Sequence, residues 1–275
     1  MEITIGFSPC PNDTFIFEAL VNGLINTGPI RFIPVLEDVE TLNEWALEGR
    51  LSVTKLSYGV LPMVTDKYQV LDTGSALGTG VGPLLITHDP ALSNRVEEQA
   101  VAIPGEHTTA HLLFSMAYPK ATHKIFLRYD QIENFVAAGK GLGVIIHENR
   151  FTYSSKGLHK ITDLGDYWER STGEPIPLGG IVASRSLAPA LQQQINQLIG
   201  DSIRHARKLY PQLSNYVKHH AQEMNEEVMR QHIDLYVNDY SLGLGRRGQM
   251  AIKRLLEVAG RLHPEWPKPP ADLFV

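Results

Sequence analysis

The chain has 275 residues, of which 43 % are hydrophobic and 20 % are charged, and its formal net charge is −5 at pH 7. These values are typical of a folded globular protein and exclude intrinsic disorder, which requires low hydrophobicity and high net charge. The slight acidic excess argues against a nucleic-acid partner, and the single cysteine, Cys10, excludes a disulfide framework or a cysteine-rich zinc module.

The first quarter of the chain alternates between strand-like and helix-like patterns, which favours a mostly parallel sheet covered by helices. Asp38 precedes one helical pattern and can accept hydrogen bonds from its first amides. The predicted elements are a strand at 3–7, a helix at 14–24, a strand at 31–36, a helix after Asp38, a strand at 51–56, a turn or short helix at 58–63 and a strand at 68–71.

The alternation stops at a glycine-rich segment, residues 72–83, and then restarts. The next predicted elements are strands at 99–103, 124–127 and 142–147, and helices at 108–117 and 130–138. A second Pro/Gly cluster occupies residues 174–180 and precedes the apolar segment 181–183. Three apolar stripes then predict helices, and they contain Leu191, Ile195, Leu198, Ile199 and Ile203; Val228, Leu235 and Tyr236; and Met250, Leu255, Ala259 and Leu262.

The two Pro/Gly segments, near 72–83 and 174–180, predict that the chain crosses twice between two lobes. Lobe one would contain residues 1–85 and 181–275, and lobe two would contain residues 86–180. In α/β folds of this kind, ligands bind at the carboxyl ends of the strands, in the cleft between the lobes.

The segment Ser-Pro-Cys-Pro-Asn-Asp-Thr at residues 8–14 connects the first strand to the first helix. Asn12 or Asp13 could cap that helix, and free amides at its start would attract a carboxylate or phosphate. The alternative is a rigid turn with an ordinary cap. Cys10 has no base motif beside it, so we expect a buried, unreactive thiol rather than a nucleophile.

Polar residues also follow a strand at Val-Thr-Lys-Leu-Ser-Tyr, residues 53–58. Lys55 could neutralise an acidic ligand, and the Ser57 hydroxyl could bind an oxygen atom. Alternatively, these residues are a surface lysine and a helix cap. The sequence pattern is compatible with both.

The second half repeats the strand–turn–helix design at residues 104–111, where Thr108 or Thr109 can cap a helix whose amides face the cleft. His107 and His111 have the i, i+4 spacing of a metal pair. The glutamate of a His-Glu-x-x-His motif is missing between them, which favours histidines that bind no metal.

An apolar strand at residues 142–147 ends in His147, at the edge of the sheet where the cleft is expected. A histidine in this place could be a general base if burial and a neighbour adjust its pKa. A structural histidine bonded to the backbone is the alternative.

Four segments together resemble the 1,4-dihydroxy-6-naphthoate synthase family of menaquinone biosynthesis. They are Ser-Pro-Cys-Pro-Asn-Asp-Thr-Phe at 8–15, Val-Thr-Lys-Leu-Ser-Tyr at 53–58, the turn with Thr109 and Ala110, and Val-Ile-Ile-His-Glu at 144–148. The resemblance runs nearly end to end, and the opening motif is the most specific part. It implies an α/β, periplasmic-binding-protein-like fold of type II, with two lobes, mixed and mostly parallel sheets, and a central cleft.

The resemblance also implies an activity: conversion of cyclic dehypoxanthine futalosine to 1,4-dihydroxy-6-naphthoate with release of dihydroxyacetone. Such an enzyme is a carbon–carbon lyase without a metal or an organic cofactor. By position, His147 matches the family's proton acceptor. Lys55, Leu56 and Ser57 match one substrate-binding stretch, and Thr109 with Ala110 match another. Asn12 belongs to the opening motif, from which we infer a substrate-binding role. Ser57, Thr109 and nearby amides would hold substrate oxygens.

Two other classes of function remain open at this point. A chorismate dehydratase would share the fold and the pathway, although the opening motif argues against it. A non-catalytic binding protein for small acids would share the two lobes. The first strand follows Met1 without an export signal, so we expect a cytoplasmic protein. We also expect a small anionic substrate, no nucleic-acid or membrane partner, and a monomer or homodimer.

Overall fold

The computed structural model describes residues 1–221 and 225–275, which form two β-sheets flanked by helices. The strands are β1 (Glu2–Phe7), β2 (Arg31–Leu36), β3 (Val53–Ser57), β4 (Tyr68–Val70), β5 (Ala76–Gly78), β6 (Leu84–Thr87), β7 (Val101–Ile103), β8 (Lys124–Phe126), β9 (Leu142–Ile145), β10 (His159–Asp163) and β11 (Ile176–Ser184). The α-helices are α1 (Pro11–Val21), α2 (Val39–Glu48), α3 (Thr109–Ala117), α4 (Tyr129–Ala137), α5 (Asn149–Thr152), α6 (Leu164–Thr172), α7 (Pro189–Leu209), α8 (Asn215–His220), α9 (Glu226–Tyr236), α10 (Asp239–Leu242) and α11 (Gly245–Leu262). Short 3-10 helices lie at Leu61–Met63, Pro90–Asn94, Val96–Glu98 and Tyr153–Lys156.

Sheet A has the strand order β2-β1-β3-β11-β4, and β5 also pairs with β11. Strand β1 runs parallel to β2 and β3, as expected where helices connect consecutive strands. Strand β11 runs antiparallel to β3, β4 and β5. The sheet is therefore mixed, and its late strand β11 lies in the middle.

Sheet B has the order β10-β6-β9-β7-β8. Strand β7 is parallel to β8 and β9, whereas β6 is antiparallel to β9 and β10. Both sheets are mixed, as predicted, but the antiparallel contribution is larger than the alternating sequence pattern suggests. The reason is that β6 and β11 each follow a strand of the other sheet, so no helical crossover from a neighbouring strand of the same sheet sets their direction.

The two Pro/Gly segments take different structures. The segment 72–83 includes β5 and leads from sheet A to β6 of sheet B. The segment 174–180 is largely the start of β11 rather than a loop. Pro177 pairs with Leu77 of β5, and the register shifts between Pro177 and Gly179, which is the kind of irregular position where a strand tolerates proline. The lobe boundaries remain a proposal, supported by the strands that each sheet contains.

Helix α1 begins at Pro11 rather than at Thr14, and its N-cap Cys10 makes no side-chain capping bond. Neither Asn12 nor Asp13 caps the helix, so that prediction is wrong. Proline fixes φ near the helical value and needs no partner for an N–H group, which makes the first helical position favourable for it. Asn12 and Asp13 therefore lie inside the first turn, where their side chains are available for other contacts.

Hydrophobic side chains form one cluster shared by both sheets and two smaller clusters. The shared cluster includes Tyr58 and Leu61 near sheet A, and Val101, Leu113 and Phe114 near sheet B. This shared core connects the two lobes and holds the ends of their strands close together. The predicted apolar stripe of α11 is correct at Leu255 and Ala259, but Met250 is 50 % exposed because it lies off the buried face. None of the described helices has the length and apolar character needed to cross a bilayer.

Candidate functional site

A concave cavity that opens to solvent lies between the two sheets, as is usual for small-molecule sites. It is lined by segments that follow the carboxyl ends of β1, β3, β7 and β9, which is where ligands bind in α/β folds. All seven predicted site residues line it: Asn12, Lys55, Leu56, Ser57, Thr109, Ala110 and His147.

The first turn of α1 contributes a buried carboxylate, Asp13, that gathers four donors. Ser8 donates to Asp13 from its backbone N–H at 3.1 Å and from its hydroxyl at 2.7 Å. Lys55 Nζ lies 2.6 Å from Asp13 Oδ1, and Asn12 Nδ2 lies 2.9 Å from the same oxygen. Asp13 thus accepts from the side-chain amide N–H of Asn12. The side-chain oxygen of Asn12, Oδ1, has no partner among the described residues and is free to accept from a ligand.

Lys55 lines the cavity as predicted, but its environment differs from that of a free surface cation. Its side chain is 7 % exposed, and Asp13, at 2 %, neutralises its charge. A buried lysine without such a partner would be costly, which explains the pairing. Lys55 can still donate a hydrogen bond to an anionic ligand, while the net charge of the pair remains zero.

Ser57, the last residue of β3, is held by Asn43 of α2. The Asn43 side chain accepts from the Ser57 backbone N–H at 2.8 Å and donates to the Ser57 oxygen at 3.1 Å. Asn43 is itself fully buried, so this contact fixes the serine rotamer. The Ser57 hydroxyl keeps its own proton for an acceptor in the cavity.

Thr109 and Ala110 form the start of α3, whose N-cap is Thr108. The Thr109 hydroxyl accepts from the Gly59 amide at 2.9 Å and donates to the Leu178 carbonyl at 2.6 Å, so it bridges the lobes. Its proton is therefore engaged, and the hydroxyl can meet a substrate only through its remaining lone pair. The first-turn amides of Thr109 and Ala110 have no acceptor in the part of the chain that the structure describes, and a helix N-terminus favours an anion.

His147 follows β9 in a left-handed backbone conformation, φ 57°, which is rare for residues other than glycine. Its Nδ1 atom lies 3.4 Å from the Cys10 sulfur, and its Nε2 atom is buried without a partner among the described residues. Burial lowers the pKa of His147 to about 4, although the nearby Asp13 carboxylate opposes this change. The imidazole is thus neutral at physiological pH and can accept a proton.

The contact between Cys10 and His147 could not be identified from the sequence. The thiol is buried, and its pKa is raised well above the ordinary value by burial and by the negative charge of Glu148. The thiol therefore stays protonated, in agreement with the expected unreactive side chain. If Nδ1–H of His147 donates to the sulfur, the lone pair of Nε2 is directed into the cavity.

Sequence analysis did not identify two residues of α9 as part of the site, His232 and Tyr236. Both line the cavity, and the ring of His232 lies 6.1 Å from that of His147. Tyr236 belongs to the apolar stripe predicted for this helix, but the other residues of the buried face are Met229, His232 and Ile233. Their i, i+3, i+4, i+7 spacing is the sequence feature that would have placed His232 inside the protein.

The structure does not bring His107 and His111 together as a metal pair. His107 Nδ1 lies 2.8 Å from Glu40, whereas His111 contacts the Glu106 carbonyl at 2.7 Å and Lys124 at 3.0 Å. Another group, Cys10, His147 and Glu148, has three potential ligand atoms within 4.8 Å of one another. The raised pKa of the Cys10 thiol opposes the deprotonation that metal binding there would require.

Comparisons with known proteins give the family. The menaquinone biosynthesis family model matches residues 3–261. The chain is 46 % identical to a 1,4-dihydroxy-6-naphtoate synthase of Thermus thermophilus, with 99 % of each chain covered. It is 42 % identical to the synthase of that name from Streptomyces coelicolor, covering 94 % of this chain and 92 % of the relative.

A solved structure gives the fold. The periplasmic aliphatic sulphonate binding protein SsuA from Escherichia coli superposes with a TM-score of 0.66 at 12 % identity, covering 100 % of this chain and 92 % of SsuA. At this identity the likeness shows only that the chain has the periplasmic-binding-protein-like α/β fold. The family match over residues 3–261 and the two relatives aligned over nearly their whole length show that the chain belongs to the menaquinone biosynthesis family.

Proposed function

We propose that the chain is a 1,4-dihydroxy-6-naphthoate synthase that acts on cyclic dehypoxanthine futalosine and releases dihydroxyacetone. It would be a carbon–carbon lyase of menaquinone biosynthesis that works without an organic cofactor. The observation that carries the proposal is the buried Nε2 atom of His147, which has no partner among the described residues. The lining of the same cavity offers hydrogen-bond donors. The names of two relatives that align over nearly their whole length support this choice.

The donor wall suits the carboxylate of the proposed substrate. Lys55 Nζ, the Ser57 hydroxyl and the amides of Thr109 and Ala110 all belong to the cavity lining. A carboxylate at the start of α3 gains charge-assisted hydrogen bonds without any additional net charge from the protein. The Asn12 carbonyl oxygen is available for a substrate hydroxyl.

His147 would start the reaction by accepting a proton from the substrate at Nε2. The electron pair left on the substrate would then drive cleavage of a carbon–carbon bond, with aromatisation of the second ring as the driving force. The imidazolium can return its proton as the three-carbon fragment leaves. A general base of this kind contributes about 10²–10⁴-fold in rate.

The lowered pKa of His147 determines the protonation state of the proposed base. Burial makes the imidazole a weaker base than free histidine, but it keeps the ring unprotonated over the physiological range. The nearby Asp13 carboxylate opposes the effect of burial and would favour the imidazolium when it forms. The cavity therefore keeps the base unprotonated before the proton transfer.

The experiment incubates the purified protein with cyclic dehypoxanthine futalosine and detects the naphthoate and dihydroxyacetone by mass spectrometry. A parallel incubation contains chorismate and monitors 3-enolpyruvoylbenzoate. We expect product only in the first reaction. Product from chorismate would identify a dehydratase, and binding of the futalosine derivative without turnover would identify a non-catalytic receptor. Fractionation of cells would test the proposed cytoplasmic location.

A further inference from the structure

His232 is a buried histidine that the mechanism above does not use. It lies on α9, has no solvent exposure and lines the cavity. Neither Nδ1 nor Nε2 has a hydrogen-bond partner among the described residues. Buried polar side chains in folded proteins nearly always have partners, so an imidazole with two unpaired nitrogens at a cavity wall requires an explanation.

The surroundings of His232 fix its ring without satisfying its nitrogens. Tyr236 meets the ring edge-on, with centroids 4.7 Å apart, and His147 lies 6.1 Å away in a similar orientation. Burial lowers the pKa of His232 well below that of free histidine, and the nearby His147 and Lys55 act in the same direction. The ring is therefore neutral and offers one N–H donor and one acceptor.

We propose that His232 donates a hydrogen bond from its imidazole N–H to an oxygen of the bound substrate, beside the base His147. This inference rests on the proposed function. The two rings come from different parts of the chain, the loop after β9 and helix α9, but they lie side by side in the cavity lining, so one bound substrate can contact both. No proton leaves His232, and the N–H group stabilises negative charge that develops on oxygen after His147 accepts its proton.

The distinction between the two histidines follows from their contacts. His147 has a partner for Nδ1, the Cys10 sulfur, and the tautomer in which Nδ1–H donates to that sulfur leaves Nε2 as the acceptor. His232 has no such partner among the described residues to fix its tautomer, so the substrate oxygen itself selects the N–H form. A neutral imidazole aimed at an oxyanion is a preorganised donor.

The test replaces His232 in the full-length protein by Phe, Asn and Gln and measures kcat, KM and Tm with cyclic dehypoxanthine futalosine. We expect His232→Phe to lower kcat by about 10²–10³-fold with little change in KM. Asn and Gln carry amide N–H groups near the positions of Nδ1 and Nε2 of histidine. Either the Asn or the Gln variant should therefore have a kcat at least about ten-fold higher than that of His232→Phe. Met229→Leu, on the same buried face but outside the cavity lining, is the matched control and should keep wild-type kcat.

The Tm values of the variants distinguish a substrate contact of His232 from a purely structural role. Phenylalanine removes two unpaired buried nitrogens, so His232→Phe should keep or raise Tm. A kcat within about three-fold of wild type in His232→Phe would overturn the inference. A parallel loss of Tm and kcat in all three variants would also overturn it. An inactive but folded wild-type protein would instead refute the proposed function, and the substrate contact with it.

Discussion

At the scale of single residues, His147 combines three features that suit a catalytic base. Its backbone adopts φ 57°, its Nδ1 atom contacts Cys10, and its Nε2 atom is buried without a partner among the described residues. A left-handed conformation of a residue other than glycine costs on the order of 1–3 kcal/mol and is common at functional sites. Here it turns the chain after β9 so that the ring enters the cavity.

The pH dependence of catalysis follows from the environment of this ring. Because burial lowers the pKa of His147 to about 4, the base loses its proton far below the ordinary histidine value. We expect kcat/KM to stay constant as pH falls from 8 through the ordinary histidine pKa of about 6.5, and to decline only nearer 4. Measurement of kcat/KM across this range tests the expectation. An inflection close to the ordinary histidine value would mean that the base is exposed or is another group.

A second prediction at this scale concerns the contribution of the Asp13–Lys55 ion pair to stability. Both side chains are almost fully buried, so removal of one charge leaves the other unpaired in the interior. We expect Asp13→Asn to lower the free energy of unfolding by about 3–5 kcal/mol, measured by urea denaturation. The double variant Asp13→Asn/Lys55→Met should be more stable than Asp13→Asn, because the unpaired cation is gone. Equal stabilities of these two variants would contradict a buried ion pair.

At the scale of secondary structure, the close approach of the segment after β3 to α3 joins the two halves of the site. A Cβ atom added at Gly59 would lie 2.7 Å from the Thr108 carbonyl oxygen and 2.8 Å from the Thr109 nitrogen. The same glycine donates its N–H to the Thr109 hydroxyl. Only a residue without a side chain fits between the turn and the start of the helix.

We therefore expect Gly59→Ala to displace the start of α3 and its donor amides. The predicted result is a loss of about 1–3 kcal/mol in the free energy of unfolding and a higher KM. Gly260→Ala is the control, since its added Cβ in α11 would meet no heavy atom within 4 Å beyond its chain neighbours and the adjacent helix backbone, and it should be neutral or slightly stabilising. Urea denaturation and steady-state kinetics of both variants test this. An unchanged KM in Gly59→Ala would show that α3 does not set substrate affinity.

Most elements with clear periodicity could be predicted from the sequence, including β1, β2, α2, α3 and α7. The pattern did not indicate β10 or α6. Helix α6 did carry a local marker, because Asp163 caps its start with bonds to two amides.

The members of the candidate site were easier to predict than their contacts. Motifs placed Asn12, Lys55, Ser57 and His147 at the ends of strands, which is where the cavity lies. The pairing of Lys55 with Asp13 depends on tertiary packing, so no local pattern reveals it. The same holds for His232, which reaches the cavity from a helix far along the chain.

At the scale of the whole molecule, an ion pair connects the lobes outside the cavity. Glu40 of α2 contacts the His107 ring at 2.8 Å and its backbone N–H at 2.9 Å. The hydrogen bond from His107 to Glu40 raises the pKa of the histidine, and burial opposes this only in part. The charged form therefore stabilises the folded state below the ordinary histidine pKa, and this stabilisation is lost as pH rises through the raised value.

A comparison of wild type with His107→Gln isolates this contribution. We expect the wild-type protein to be more stable by roughly 1 kcal/mol at pH 6, and the difference to shrink by pH 9. The variant keeps the backbone N–H bond to Glu40, so only the imidazolium contact changes. Urea denaturation at several pH values measures the difference. A difference that does not vary with pH would mean that the pair is not charged in the folded protein.

The most direct test of the proposed reaction in the cavity between the lobes is to measure substrate affinity and kcat after replacement of the proposed base, His147. His147→Gln should bind cyclic dehypoxanthine futalosine with nearly unchanged affinity, because the donor wall at Ser57 and Thr109 is intact. Its kcat should fall by about 10²–10⁴-fold, since glutamine cannot accept the proton. Turnover at nearly the wild-type rate by a folded His147→Gln protein would contradict a proton transfer to this histidine.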